Sequence, residues 1–236
     1  MRTTKKPIVV EICGMPGAGK STVYHRIKDG VMDVQLGCRV SAFRNILSIV
    51  FVVLREFPTF VWLGFDRMFC YRVKKMLYLK VLCRAMRRRG CLSKKVIVFD
   101  EGPLFAQTFL LAVGSSFRPK KCLKVWVARN VSDWSGLLNG IIWLDADDST
   151  LVERVRQRNI PHSLKTRTGE EQREFMDGFR SAYDQIISMY ERNGIPVLRL
   201  TTKNKDIEVT KNGILQFLSE IESGDLPVVP NSEREI

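Results

Sequence analysis

A chain of 236 residues, 45% hydrophobic and 27% charged, has a globular composition, which excludes a collagen, a low-complexity chain and a disulfide-built miniprotein. Lysine and arginine number 38 against 25 acids, a formal charge of +13, and favour polyanionic partners: nucleotides, nucleic acid or an anionic membrane face. The excess is uneven, with eleven Lys/Arg and no acid between Arg67 and Lys95. Six cysteines without a CxxC pair, and only His25 and His162 to join them, argue against zinc. They read as reduced thiols of a cytoplasmic chain, because MRTTKK leads directly into a strand without a secretory leader.

Pro7–Cys13, PIVVEIC, predicts a buried strand, and Val23–Lys28 continues as a helix after the glycine-rich segment between them. Val34–Ser41 predicts a second strand. Ala42–Arg89 reads as helical, with breaks expected at Pro58 and Gly64. Within it, Ile46–Phe65 is a twenty-residue apolar stretch interrupted by Arg55 and Glu56. A single central charge costs roughly 2.5–3.5 kcal/mol in a bilayer, so a buried helix is preferred over a spanning one, with an interfacial helix as the remaining option. Phe69, Val73, Leu77 and Val81 recur every four residues and predict an amphipathic helix with a cationic opposite face.

Val96–Phe99 reads as a central parallel strand ending at Asp100 and Glu101. Helices are expected over Leu104–Val113 and Leu123–Leu138, and a strand over Ile141–Asp145. Thr150–Arg158 predicts a helix opened by a Thr150–Glu153 box, and Asn159–Arg167 a loop. Thr168 and Glu171 open a further helix that buries Phe175, Phe179, Tyr183, Ile186 and Tyr190 and stops at Gly194. Pro196–Thr201 is the last strand and Ile207–Ile221 the closing helix, before a loose tail. Alternating strands and helices predict an open parallel α/β sheet of about five strands.

Gly14-Met15-Pro16-Gly17-Ala18-Gly19-Lys20-Ser21 satisfies GxxxxGK[ST] and Thr22 follows it. Glycines let successive amides turn inward onto phosphate oxygens, and the following helix aims its positive end at the same anion. Lys20 is expected on the β- and γ-phosphates of ATP and Ser21 on Mg²⁺. Asp100 and Glu101 end a central strand where ligands of open α/β sheets bind, and suit a metal-orienting or general-base role, Asp100 being preferred for the metal. Asp145 ends its strand similarly, although Asp147 and Asp148 make helix capping an equal reading. Arg154 and Arg158 are four apart, and with Arg156 and Arg167 they suit a lid closing on phosphates. His25 and His162 read as bystanders.

IVVEICGMPGAGKST, VIVFDEG and IIWLDADDSTLVERVRQR together resemble the P-loop kinases of the nucleotide and nucleoside kinase group, closest in layout to thymidylate kinases. The resemblance implies a P-loop kinase-like three-layer sandwich over residues 1–222, with a helical acceptor-side insertion at 42–95, a lid at 154–168 and a flexible tail at 223–236. It implies transfer of the γ-phosphate of ATP·Mg²⁺ to an anionic small acceptor, with Lys20, Asp100, Glu101, Arg154 and Arg158 as catalytic candidates. Adenine is implied near Thr202–Lys205. The Asp100-Glu101 pair stands where the thymidylate kinase pattern has Asp-Arg, and no thymidylate-type acceptor motif occurs between 42 and 95. The apolar and then basic character of that stretch leaves open an enzyme acting on a sugar or lipid-linked precursor at a membrane surface. A non-catalytic nucleotide switch and a homodimer also stay open, while sparse stacking aromatics disfavour nucleic acid.

Overall fold

A computed structural model describes residues 7–30, 34–36, 46–63, 68–88, 96–112, 120–159, 162–203 and 206–225. Five parallel strands form one sheet in the order β2-β3-β1-β4-β5: β1 (Ile8–Gly14), β2 (Val34–Leu36), β3 (Val96–Asp100), β4 (Gly140–Asp145) and β5 (Val197–Thr201). Short β-branched runs buried on both faces dictate this arrangement, since Val9, Val10, Ile12, Ile97, Val98, Ile141 and Ile142 are all inaccessible or nearly so. Register is continuous across the centre, Val10 lying opposite Val98 on one side and Gly140 on the other. At Gly14 an added Cβ would fall 2.0 Å from the Leu144 carbonyl oxygen, so only glycine lets β1 leave the sheet beside β4.

Helices cover both faces. On one, α1 (Lys20–Gly30) meets α8 (Ile207–Ser223), and Phe217 and Ile221 of α8 reach over Gly140. On the other lie α4 (Pro103–Ala112), α5 (Lys120–Ser135) and α7 (Gly169–Arg192), with Trp134 edge-on to Phe99 and Tyr183 against Trp143. Outside this layer, α2 (Ile46–Leu63) packs on α3 (Phe69–Arg87) and α5. Between α6 (Asp148–Gln157) and α7 runs a 3₁₀ turn, Ser163–Thr166. A central hydrogen-bond chain ties the layer together: Tyr190 Oη donates to Gln107 Oε1 at 3.0 Å, and Gln107 Nε2 to Asn130 Oδ1 at 2.9 Å, all three residues being buried.

Several expectations change. Pro58 does not break the chain but sits inside α2, on its exposed side, where solvent can meet the Leu54 carbonyl that loses its donor. Nor is α2 a buried helix: Val52, Glu56 and Phe60 face inward while a second apolar row stays exposed. The buried face of α3 centres on Met76, Leu79, Leu82, Cys83 and Met86, rotated from the Phe69–Val81 row, because α2, α4 and α5 approach it from different sides. Tyr71 and Tyr78 are consequently exposed rather than part of a buried stripe. The cationic face is partly engaged: Lys80 and Arg87 both bind Asp133, at 2.8 and 3.2 Å, and Arg72 is buried.

The start of α6 is set by Asp147, whose side chain accepts from the Thr150 amide at 3.2 Å; Thr150 is the third residue of the helix and not its cap. Arg158 is one residue beyond the helix end in extended conformation, so it does not share a helical face with Arg154. The expected box at the start of α7 is present: Thr168 Oγ1 accepts from the Glu171 amide, and Glu171 Oε2 accepts from the Thr168 amide at 2.8 Å. Gly194, at φ +79°, follows α7 in the left-handed conformation. The expectations for Gly37–Ser41, the break at Gly64, Arg67, Arg89, Lys94, Lys95, Val113, Pro161 and the tail beyond 225 lie outside the described residues.

Candidate active site

The carboxyl end of β1 runs through Met15 and Pro16 into Gly17, Ala18 and Gly19, and α1 begins at Lys20. Gly17 and Gly19 hold φ of +91° and +83°, left-handed conformations that let the backbone turn tightly into the N-terminus of α1. Met15 and Ala18 are fully buried and anchor the turn, whereas Ser21 and Thr22 are exposed. The Lys20 ammonium folds back over the loop and donates to the carbonyls of Gly14 at 2.9 Å and Met15 at 3.1 Å. Burial pulls its pKa down, and Glu101 and then Asp100 oppose that pull.

Asp100, on the neighbouring strand β3, comes to the same place because β1 and β3 pair in parallel and in register. Its Oδ2 accepts from Ser21 Oγ at 3.3 Å, while its Oδ1 is buried and has no hydrogen-bond partner. Glu101 follows with φ +57°, a left-handed backbone that costs a non-glycine residue about 1–3 kcal/mol. That turn leaves Glu101 exposed and within electrostatic reach of both Lys20 and Lys75. Tyr24 of α1 is close enough to Asp100 for that charge to add to burial, which together push its phenol up to about 12.

Arg154 lies on α6 rather than in a mobile loop. Its guanidinium donates to Gly17 O at 3.4 Å, Thr202 Oγ1 at 3.1 Å and Thr202 O at 3.0 Å, and so clamps the phosphate loop to the chain leaving β5. Arg158 is exposed, and its positive charge bears on Lys20 and on His162. His162 has a local structural role: its Nδ1 accepts from the Leu164 amide at 3.1 Å and starts the 3₁₀ turn. Burial holds it below the usual imidazole range, with Arg158 and Lys20 adding to the effect. Asp145 and Asp148 are bound by Arg180, at 3.3 and 2.8 Å, and Asp147 by Lys203 at 3.3 Å, which accounts for that acidic cluster. Arg156 reaches Gln172 at 3.4 Å, and His25 is exposed.

Sequence reasoning passed over two groups. Glu11 is an acid in the middle of the β-branched run, and that anomaly was its signal. It is wholly buried and accepts from the amides of Leu104 at 2.7 Å and Phe105 at 2.9 Å, fixing the N-terminus of α4 directly after Glu101-Gly102. The other is an aromatic wall beyond Glu101. Lys75 lies over the rings of Phe105, Tyr71 and Phe109 at 5.1–5.8 Å. Phe109 meets Phe179, which meets Phe175, and the Arg167 guanidinium stands 4.7 Å over Phe175. Burial draws the Lys75 ammonium down, with Glu101 opposing it. Nothing in the basic run marked Lys75, because Phe105 and Phe109 come from α4.

No family model matches the chain, and no curated protein does. Solved structures do. A deoxyadenosine kinase from M. mycoides, in a structure with the products dCMP and dCDP, superposes at TM-score 0.52 with 16% identity over 90% of this chain and 100% of that one. The same enzyme with dATP bound gives 0.53 with 15% identity, again covering 90% and 100%. A thymidylate kinase from Candida albicans gives 0.54 with 13% identity over 93% of each chain. The 2-3-1-4-5 parallel sheet and the glycine loop between β1 and α1 are thus set in a familiar frame, and the chain has the fold of the P-loop nucleoside and nucleotide kinases.

Proposed function

We propose that the chain transfers the γ-phosphoryl group of ATP to a small acceptor seated between the phosphate loop and the aromatic wall. The observation that carries this reading is the meeting of Ser21 and Asp100 at the mouth of the loop, with a buried Asp100 oxygen left unpartnered. A hydroxyl and one carboxylate are hard oxygen donors and fit Mg²⁺, which completes its shell with phosphate oxygens and water. Among the described residues no group of three or more His, Cys, Asp or Glu could hold a metal ion. When bound, Mg²⁺ neutralises charge on the phosphate oxygens.

Lys20 moves from the carbonyls of Gly14 and Met15 onto the phosphates. Where the acceptor is a nucleoside, Glu101 accepts its hydroxyl proton; a nucleoside monophosphate attacks through an already ionised phosphate oxygen and needs no base. In either case the acceptor oxygen bonds to the γ-phosphorus and the bond to the bridging oxygen breaks with its electrons leaving on ADP. Arg154 holds the loop in shape, and Arg158, at the start of a lid over 154–168, balances charge on the transferring group. The segment 42–95 contributes Tyr71 and Lys75 to the acceptor-side wall, whose other rings come from α4 and α7. The π faces of this wall suit a planar heterocycle, and the charges of Lys75 and Arg167 suit an anionic group on it, which favours a nucleoside monophosphate, and after it a nucleoside, over a sugar.

Release of ADP from ATP and Mg²⁺ with a panel of nucleosides, nucleoside monophosphates and sugars tests the reading. Turnover with members of the first two classes is expected. Lys20→Ala should lower kcat/KM at least ~100-fold with the fold intact. Asp100→Asn should lower kcat by a similar ~100-fold and change the metal dependence, with a smaller effect on nucleotide binding. ATP binding without turnover on any acceptor would favour a nucleotide switch, and normal turnover by Lys20→Ala would overturn the proposal.

A further inference from the structure

Among the described residues, α3 and α5 cover the inward side of α2 and no element covers its outward side. Val50, Leu54, Phe57 and Val61 repeat at helical spacing along one exposed row, with Phe51 beside them; Leu54 is 71% and Phe57 61% accessible. A continuous apolar row of this size on a surface marks a contact face. Val125 of α5 extends it, and between α2 and α5 opens a groove of about 340 Å³ lined by Pro58, Cys122, Val125 and Trp126.

Charge identifies the partner. Arg55 is exposed at the edge of the row, the Arg84 guanidinium lies 4.1 Å over the Phe51 ring, and Lys121 and Arg129 stand at the groove. Together α2 and α3 contain one acid, Glu56, and it is buried with its carboxylate accepting from Trp126 Nε1 at 2.8 Å. A two-fold contact between copies would set this face, cations included, against itself. An anionic bilayer meets both features at once: lipid chains take the apolar row and headgroups take the cations. Among the described residues no helix is long and apolar enough to cross a membrane, so such a contact lies in the plane of the interface.

We propose that the exposed face of α2 docks on an anionic lipid surface, with Val50, Leu54, Phe57 and Val61 entering the interfacial layer and Arg55, Arg84, Lys121 and Arg129 meeting the headgroups. The docking is independent of which acceptor the kinase uses. It places the acceptor-side helices α2 and α3 next to the lipid and leaves the phosphate loop on other elements.

The test is sedimentation of the full chain with vesicles of phosphatidylcholine alone and of equal parts phosphatidylcholine and phosphatidylglycerol. Binding to the anionic vesicles is expected to exceed that to neutral ones at least ~10-fold at moderate salt. Leu54→Glu with Phe57→Glu should abolish it while melting temperature and ATP binding stay as in the parent, since both side chains are exposed. Phe57→Trp should shift its emission to the blue with anionic vesicles only. Undiminished binding by the double variant, or equal and negligible binding of the parent to both vesicles, overturns the proposal. So does a dimer in light scattering that Leu54→Glu dissolves, which would make this face a contact between copies.

Discussion

Glu11 stands between Val10 and Ile12 in the most buried strand of the sheet, where a carboxyl survives only because the start of α4 is aimed at it. Burial pushes it from 4.5 up to about 8, against the opposite pull of the Phe105, Leu104 and Gly102 amides. The folded chain therefore binds more protons than the unfolded one between those values, and stability falls as pH rises from about 4.5 toward about 8 and levels off above. Thermal melts across this range should show that slope, and Glu11→Gln should flatten it. Gln also faces an amide donor with its own NH₂, which should lower stability at acid pH by about 1–3 kcal/mol. A parent slope retained in the variant would assign the titration to another group. Because Glu11 fixes Gly102 and the first turn of α4, it positions the Asp100-Glu101 pair.

Elements meet the site through their ends. The glycine loop exists because β1 stops at Gly14 and α1 starts at Lys20, and Arg154 reaches it because α6 is capped at Asp147. Asp147 accepts from the Thr150 amide and hydroxyl and also pairs with Lys203. Asp147→Ala should cost about 1 kcal/mol through the lost cap. It should also weaken nucleotide binding, since the same helix carries Arg154. Chemical denaturation alongside ATP titration checks both; a loss of stability with unchanged affinity would mean that Arg154 is held by Thr202 alone. The misplaced start of α6 and the unbroken α2 share a cause. Local signals fix that a helix forms, but a nearer cap or a solvent-facing proline moves its boundary.

At the scale of the whole molecule, the layer of α4, α5 and α7 is pinned by the Tyr190–Gln107–Asn130 chain, with no water-facing member. Tyr190→Phe leaves a buried Gln107 oxygen without that donor and should lower unfolding free energy by about 1–3 kcal/mol, read as a lower denaturant midpoint at unchanged slope. An unchanged midpoint would mean that the chain contributes nothing net. The five-stranded order sets β1 at the centre with β3 beside it, so the glycine loop and Asp100 open together at the carboxyl ends of the strands.

The sequence by itself determined the α/β alternation, the phosphate loop with Lys20 and Ser21, the acid pair at the end of β3 and the Thr168 capping box. These are local: each is written in neighbouring residues whose backbone conformations or spacing leave few alternatives. The tertiary structure alone decided that Ser21 meets Asp100, that Arg154 braces Gly17 against Thr202, and that Lys75 sits on the α4 rings of Phe105 and Phe109 beside Glu101. It also decided which side of α2 is left bare. Such pairings join residues tens of positions apart, and periodicity tells only that a helix has an apolar side, not which neighbour will cover it.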